Sequence, residues 1–299
     1  MIIAVCVFYV VFVCKVAYSL CMLYLCCMPN RLLIFLAIIP CLCFSTFAQV
    51  SDIIPSGTSI ANTSVARTHQ WDAFSNPASL AQEGVSFSLQ YENKYMLSEL
   101  SGKSAQVSYC NHWVNVGVAF MHFGYKQYSD IMAGVCLSHN FNHRFVIGLQ
   151  CNYYAAYFGA EAGYKGTVFP QIGINVSVCK GLNVGFHAFN PFLQNIRGDF
   201  VEKKIPALFS IGTSYYFLDK FTWTVQIDKE VRSPFRVATG MEYQIVKQFG
   251  VKLGGYANRS FTPCLGVNLI FGDFRFDLHC EWDPLLGVNT LGNVRYTIR

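Results

Sequence analysis

The chain has 299 residues, of which 53% are hydrophobic, 16% aromatic and only 13% charged. Soluble domains carry about 25% charged residues, so this composition favours a surface that faces lipid or a deep core, and it excludes a disordered chain. The net charge is +5, and the basic residues are spread along the sequence. Without a basic stripe interleaved with aromatics, nucleic acid is not an expected partner.

The first 48 residues contain two apolar runs, separated by Met28-Pro29-Asn30-Arg31. Read from Met28, a basic residue precedes the second run, and the run closes with Thr46-Phe47-Ala48, which has small residues at the outer positions of the A-x-A pattern. This is the layout of a secretory signal peptide, so we predict a signal peptide over residues 28–48 and cleavage after Ala48. Residues 1–27 are then interpreted as an extension from a translation start placed too early. A transmembrane helix is the alternative, because the first run is long enough to span a bilayer.

Residues 49–82 are mostly polar or small, and they show no regular alternation of apolar and polar positions. Trp71, Phe74 and Leu80 nevertheless give this segment enough apolar surface to pack inside a larger structure. We therefore predict a hatch, a plug folded into the lumen of the domain that follows, rather than a periplasmic tail.

Residues 83–299 read as strands, because segments of roughly ten residues alternate apolar with polar or small side chains. Phe, Trp, Val and Ile alternate with Thr, Thr, Gln and Asp over residues 221–228, and apolar residues alternate with charged ones over residues 274–282. This is the period of a strand with two different faces. About fourteen strands are predicted, with starts near residues 85, 103, 113, 130, 144, 167, 182, 205, 221, 235, 249, 262, 273 and 287.

Fourteen apolar faces are more core than one soluble sandwich encloses, whereas a bilayer supplies an apolar environment directly. In lipid the strands must close, because open edges leave backbone groups unpaired. We therefore predict an all-β fold: a transmembrane antiparallel β-barrel of about 14 strands in the outer membrane, with a short N-terminal hatch.

The connections between the predicted strands fall into two alternating classes, as expected for short periplasmic turns and longer outside loops. The tight class comprises residues 111–112, 140–143, 180–181, 218–220, 247–248 and 272–273. The longer class comprises residues 97–103, 158–166, 191–204 and 283–287.

No catalytic constellation is present in the sequence, so we predict no enzyme activity, no cofactor and no metal. Four histidines lack metal-ligand spacing: His122, His139, His143 and His187. The six cysteines beyond the leader stand singly, as buried or lipid-facing small hydrophobes, and a disulfide remains open. Charged residues of the predicted strands are expected to form a polar network in the lumen: Asp228, Arg236, Glu242, Arg275, Asp277 and Glu281.

The run from Asp72 to Ala81 resembles the Asn-Pro-Ala-Gly-Leu-Ala segment of the FadL-type fatty-acid transporters, and equally that of their PorV/PorQ-type relatives in type IX secretion systems. Ser79 replaces the usual glycine. Weaker similarities to the PorV/PorQ group follow in order: Ile205-Pro206, Gly212-Thr213-Ser214-Tyr215-Tyr216-Phe217, Gly240-Met241-Glu242-Tyr243, Gly254-Gly255-Tyr256 and Gly266-Val267-Asn268.

This resemblance implies a fourteen-stranded barrel with a hatch motif, Asn76, Pro77, Ala78 and Leu80, inside it. Such barrels commonly end on an aromatic residue, whereas this chain ends Tyr296-Thr297-Ile298-Arg299. Either Tyr296 serves instead or insertion is less efficient.

Three functions remain open from the sequence, all with outer-membrane lipid as the surroundings. In the first, the barrel passes small hydrophobic molecules, and inward residues line a greasy path: Met121, Phe169, Phe189 and Tyr216. In the second, the barrel is an accessory of protein secretion or surface attachment, and the outside loop Pro191–Lys204 binds an exported protein or a secretion component through Arg197, Asp199, Glu202, Lys203 and Lys204. The third is a structural barrel without transport.

Overall fold

The computed structural model describes residues 54–298, except 69–70, 81–83, 112, 143, 159–162, 198–201, 218–219, 259 and 285. The predicted signal peptide and the cleavage site after Ala48 lie outside the described residues. Within these residues, no helix is both long enough and apolar enough to cross a membrane.

The described residues contain sixteen strands. Their bounds are β1 (Gly84–Asn93), β2 (Ser101–Cys110), β3 (Asn115–Tyr125), β4 (Tyr128–Phe141), β5 (Phe145–Tyr157), β6 (Tyr164–Cys179), β7 (Leu182–Phe189), β8 (Asn195–Arg197), β9 (Glu202–Lys204), β10 (Leu208–Phe217), β11 (Phe221–Glu230), β12 (Phe235–Val246), β13 (Phe249–Ala257), β14 (Phe261–Phe271), β15 (Phe274–Asp283) and β16 (Gly287–Ile298).

Fourteen of these strands form one closed antiparallel barrel in which each strand pairs with its neighbours in the chain. The barrel closes where β1 pairs with β16, so that Ser88 lies opposite Arg295 on one side and Gln106 of β2 on the other. β7 pairs directly with β10, while β8 and β9 form a separate two-stranded sheet in the connection between them. The predicted barrel of fourteen strands is confirmed, and every predicted start lies within three residues of the observed one.

The alternation in sequence becomes an apolar outer surface and a largely polar inner one. On β12, Phe235 and Val237 are 56% and 40% exposed, whereas Arg236 between them is buried. Aliphatic residues are exposed along the middle of the outer surface, among them Leu253 and Leu265. Their exposure to water would be costly, and a bilayer removes that cost.

Aromatic residues flank this apolar band at both ends of the barrel. Phe141, Phe217, Phe271 and Phe274 mark one end, and Tyr128, Tyr164, Phe235, Phe261 and Trp282 mark the other; all are at least 40% exposed. Two such girdles around an apolar belt are typical of transmembrane β-barrels.

The two ends differ in the length of their connections. At the short-turn end, β4–β5, β6–β7, β12–β13 and β14–β15 are joined by two or three residues, whereas the long-connection end includes residues 190–207 between β7 and β10. The β3–β4 connection departs from the predicted pattern, because only Lys126 and Gln127 form it at the long-connection end. Gly124 makes this tight turn possible: its φ is +102°, and a Cβ there would overlap the carbonyl oxygen of Tyr128.

Candidate functional site

The described residues of the hatch, 54–68 and 71–80, lie inside the barrel, where most of their side chains are buried. Ile60, Ala78 and Leu80 are at most 1% exposed, and Trp71 and Phe74 are 6% and 4% exposed. The site therefore consists of the hatch and the two lumen walls that it contacts.

The Asn76-Pro77-Ala78 motif forms a short 3-10 turn. The Asn76 Oδ1 atom accepts a hydrogen bond of 2.9 Å from the Ala78 N–H, and its Nδ2 atom donates one of 2.6 Å to the Val65 carbonyl. Gly173 on β6 and Gly148 on β5 leave room for this turn, because a Cβ at Gly173 would overlap the Asn76 side chain and one at Gly148 would overlap the Pro77 backbone.

One side of the lumen, formed by β3 to β7, carries a cluster of apolar side chains among polar ones. This apolar wall consists of Met121, Met132, Cys136, Tyr154, Phe169 and Phe189, each at most 2% exposed. The Phe169 and Phe189 rings pack edge to face, with centroids 4.8 Å apart. Trp71, Phe74 and Leu80 of the hatch belong to the same cluster.

The four apolar residues predicted to line a path for hydrophobic molecules therefore do not all belong to one cluster. Met121, Phe169 and Phe189 pack against the hatch, so they form a filled core, whereas Tyr216 lies on β10 outside this cluster.

The opposite side of the lumen, formed by β11 to β16, carries buried charges. This charged wall consists of Asp228, Arg236, Glu242, Lys252, Asp277, Glu281 and Arg295. The Lys252 side chain is fully buried, and its Nζ atom lies 2.7 Å from Asp277 Oδ1 and 3.7 Å from Glu242 Oε1. Arg236 Nη1 lies 2.7 Å from Asp228 Oδ2.

Charged side chains of this wall hold the first part of the hatch by its backbone carbonyls. Arg236 donates to Ala61 at 2.6 Å, Lys252 donates to Thr58 at 3.0 Å, and Arg295 donates to Trp71 at 2.8 Å. These carbonyls are buried and need partners, and bonds from charged donors are stronger than neutral ones.

The hatch also contributes charged side chains that pair with residues of the charged wall. Both Arg67 Nη atoms donate to the Glu242 carboxylate, with Nη2 2.8 Å from Oε2. Asp72 lies 3.4 Å from Arg295 and also accepts from the N–H of Thr58 at 3.0 Å. Burial lowers the pKa of Arg67, but the charge and hydrogen bonds of Glu242, together with Tyr216 and Asp277, outweigh burial, so this pKa lies above its ordinary value and the guanidinium stays charged.

Residues 74–80 of the hatch are held differently, because the groups that bond them are neutral. Gln171 Nε2 donates to the Ser75 carbonyl at 2.7 Å, and Asn115 Nδ2 and Ser138 Oγ donate to the Leu80 carbonyl. Weaker contacts come from Cys136 Sγ, 3.7 Å from the Pro77 carbonyl, and from Asn175 Nδ2, 3.5 Å from Ser79 Oγ.

The predicted polar residues of the strands fall into three groups. Asp228 pairs with Arg236; Glu242 and Asp277 are linked through Lys252, with Arg275 Nε 3.0 Å from Asp277 Oδ2; and Glu281 accepts from the Tyr256 hydroxyl at 3.2 Å. The prediction missed Lys252 and Arg295, although each stands between two outward-facing residues of its strand. Arg67 and Asp72 lie in the hatch, where no period marks them.

The long connection between β7 and β10 is also tied to the barrel. Lys203 Nζ lies 2.6 Å from Asp130 Oδ1 and 3.0 Å from the Tyr128 hydroxyl, while Ile196 and Ile205 are buried in the apolar cluster. In the part of the chain that is described, no three His, Cys, Asp or Glu side chains come together as a metal site.

Small cavities open near the described part of the hatch and near the rim. Two of about 10 and 20 Å³ lie beside Pro55, and one of about 80 Å³ lies at the long-connection end between residues 193–195, 204–207 and 230–232. Each is smaller than the roughly 150 Å³ cavity known to hold benzene.

No family model matches the chain, and no curated protein is similar to it in sequence. Solved structures do share its fold. A deltaS2 mutant of the TodX monoaromatic hydrocarbon channel has a TM-score of 0.58 at 11% identity, over 83% of this chain and 100% of its own. The Pseudomonas putida toluene transporter TodX has a TM-score of 0.55 at 9% identity, over 84% and 98%. A Pseudomonas aeruginosa FadL homologue has a TM-score of 0.55 at 10% identity, over 85% and 100%.

Proposed function

We propose that this protein passes small, neutral, hydrophobic molecules across the outer membrane, with the hatch as its gate. The observation that carries the proposal is a fourteen-stranded barrel whose lumen holds a hatch packed against an apolar wall. The similarity in fold to the TodX monoaromatic hydrocarbon channel and to a FadL homologue supports it, and so does the resemblance of residues 76–81 to the FadL-type motif.

We propose that passage needs a local movement of the hatch, because the hatch occupies the lumen between the two walls. The cavities beside Pro55 are about 10 and 20 Å³, which is far below the volume of a benzene-sized guest. The described hatch residues pack against both walls, so they are the part that must shift.

The test is uptake of labelled toluene by cells that contain or lack the protein, with a labelled sugar as the matched control compound. Faster toluene uptake with unchanged sugar uptake is expected when the protein is present. Equal toluene uptake in the two strains removes the transport proposal, and increased uptake of both compounds indicates an unselective leak.

The proposed location in the outer membrane rests on the apolar belt, the two aromatic girdles and the predicted signal peptide. Placing the short-turn end in the periplasm agrees with the usual pattern of such barrels. N-terminal sequencing of the membrane-inserted protein should give Gln49 as the first residue, and any residue upstream of it contradicts cleavage after Ala48.

A second candidate function is that of an accessory in protein secretion, as in the PorV/PorQ group. One observation favours it: the described part of the connection between β7 and β10 carries the β8–β9 sheet and is bonded to the barrel through Lys203. Co-purification from mild detergent tests it. An exported protein or secretion component is expected to accompany the protein and to be lost when residues 191–204 are replaced by a Gly-Ser linker.

A further inference from the structure

The hatch is held by two kinds of contact on its two sides. We call residues 56–68 and 71–73 the anchored segment, because Arg236, Lys252, Arg295 and Glu242 of the charged wall bond to it. We call residues 74–80 the neutral segment, because its bonds to β3, β4 and β6 come from Asn, Ser, Gln and Cys side chains.

A hydrophobic molecule affects these two segments differently. It can replace the contacts of Phe74 and Leu80 with the apolar wall, because those contacts are non-directional and depend on apolar area. It cannot replace the partners of Arg67 or Lys252, and removing one partner of a buried ion pair leaves an uncompensated charge. The neutral segment is therefore the side of the hatch that such a molecule displaces more readily.

We infer that a neutral hydrophobic molecule binds between the neutral segment and the apolar wall, in place of residues 74–80, while the anchored segment stays seated on the charged wall. The inference rests on the proposed function and adds which side of the lumen takes the molecule. The site favours neutral aromatic or aliphatic compounds, because Met121, Met132, Phe169 and Phe189 are apolar and the polar side chains between them, Asn152 and Gln171, are uncharged and bonded to each other.

Two native cysteines report separately on the two sides. Cys136 is 0% exposed on the apolar wall, with its Sγ atom 3.7 Å from the Pro77 carbonyl. Cys264 is 1% exposed beside Ile60 and Ala61 of the anchored segment. Both are free thiols, so they form a matched pair that needs no substitution.

The first experiment uses the full protein in vesicles and two thiol reagents, a neutral benzyl methanethiosulfonate and its negatively charged sulfonatoethyl analogue. Modification at each cysteine is followed by peptide mass spectrometry. The benzyl reagent is expected to modify Cys136 at least about tenfold faster than Cys264, the factor that corresponds to roughly one hydrogen bond of difference in opening. The charged reagent is expected to modify both cysteines slowly. Equal benzyl rates at the two cysteines, or faster reaction at Cys264, overturn the inference.

The second experiment locks each side of the hatch with a disulfide. Ser79→Cys with Asn175→Cys joins the neutral segment to β6, where the Oγ and Nδ2 atoms are 3.5 Å apart. Thr63→Cys with Thr224→Cys joins the anchored segment to β11, where the two hydroxyls are 2.6 Å apart. Ser86→Cys with Ser108→Cys joins β1 to β2 within the barrel and serves as the control, again with hydroxyls 2.6 Å apart.

The lock on the neutral segment should slow benzyl modification of Cys136 by about tenfold and abolish toluene uptake, whereas the other two locks leave both unchanged. Faster migration of unheated samples in gel electrophoresis shows that each variant is folded. A Thr63–Thr224 lock that also blocks the Cys136 reaction overturns the inference. The two proposals can fail separately, because the Cys136 reaction does not depend on transport. If the protein without a lock shows no selective toluene uptake, the proposed function is refuted. The modification rates of the two cysteines test where the molecule binds.

Discussion

Arg67 of the hatch and Glu242 of β12 form a two-point ion pair inside the barrel, although 175 residues separate them in the chain. Lys252 lies 3.7 Å from the same carboxylate and 2.7 Å from Asp277, so that two cations and two carboxylates are buried together. This cluster fixes the position of the anchored segment, because moving any one of its charged groups would leave an oppositely charged group buried without its partner.

Glu242→Gln should therefore destabilise the folded barrel by about 3–5 kcal/mol, the usual cost of breaking a buried pair from one side. The Arg67→Met/Glu242→Gln double variant should lose less than the sum of the single changes, because the two losses share one interaction. Urea unfolding in detergent measures both, and Glu99→Gln, at an exposed position of the short 3-10 helix Ser98–Leu100, is the control. Additive losses contradict the pairing.

Gly173→Ala should push the Asn76 turn away from β6. A Cβ at this position overlaps the Asn76 side chain, and overpacking of this kind costs about 1–3 kcal/mol. The expected result is a lower unfolding midpoint together with faster modification of Cys136 by the benzyl reagent. Gly102→Ala is the matched control, because the nearest atom to its added Cβ is 3.7 Å away. Similar effects of the two substitutions would show that strand glycines matter here for another reason.

The barrel could be predicted from the sequence because its signal is periodic. Each strand repeats every two residues, and an outer surface in lipid must be apolar at every turn of that pattern. The same two-residue alternation places Lys252 between Val251 and Leu253. It therefore predicts that the Lys252 side chain faces the lumen.

The hatch contacts could not be predicted in this way. Arg67 meets Glu242 only because the barrel closes and the hatch folds back into it, and no local pattern encodes either distance. The Asn76 turn was found through its resemblance to a known motif, whereas its fit against Gly148 and Gly173 depends on two strands that begin more than sixty residues later.

Leu253→Arg tests the proposed contact with lipid. Leu253 lies at the middle of β13 and is 54% exposed, so an arginine there should cost about 2–4 kcal/mol if a bilayer midplane surrounds it. Phe271→Arg, at the end of β14 in the aromatic girdle, should cost about 0–1 kcal/mol. Refolding into phosphatidylcholine vesicles at graded urea concentrations measures the two values. Equal costs at the two depths contradict the membrane-spanning assignment.

Lys203→Gln should release the connection between β7 and β10. It removes the cation that pairs with Asp130, which is 1% exposed, and this cation also lies above the Tyr128 ring, 4.8 Å from its centroid. The stranded carboxylate makes the docked position unfavourable, so residues 190–207 should be cleaved by thermolysin faster than in the parent protein. Adding Asp130→Asn should restore part of the protection, because the uncompensated charge is then gone. Lys204→Gln is the control on the same strand, since that side chain is exposed; equal cleavage of the Lys203 and Lys204 variants would show that the ion pair does not hold the connection in place.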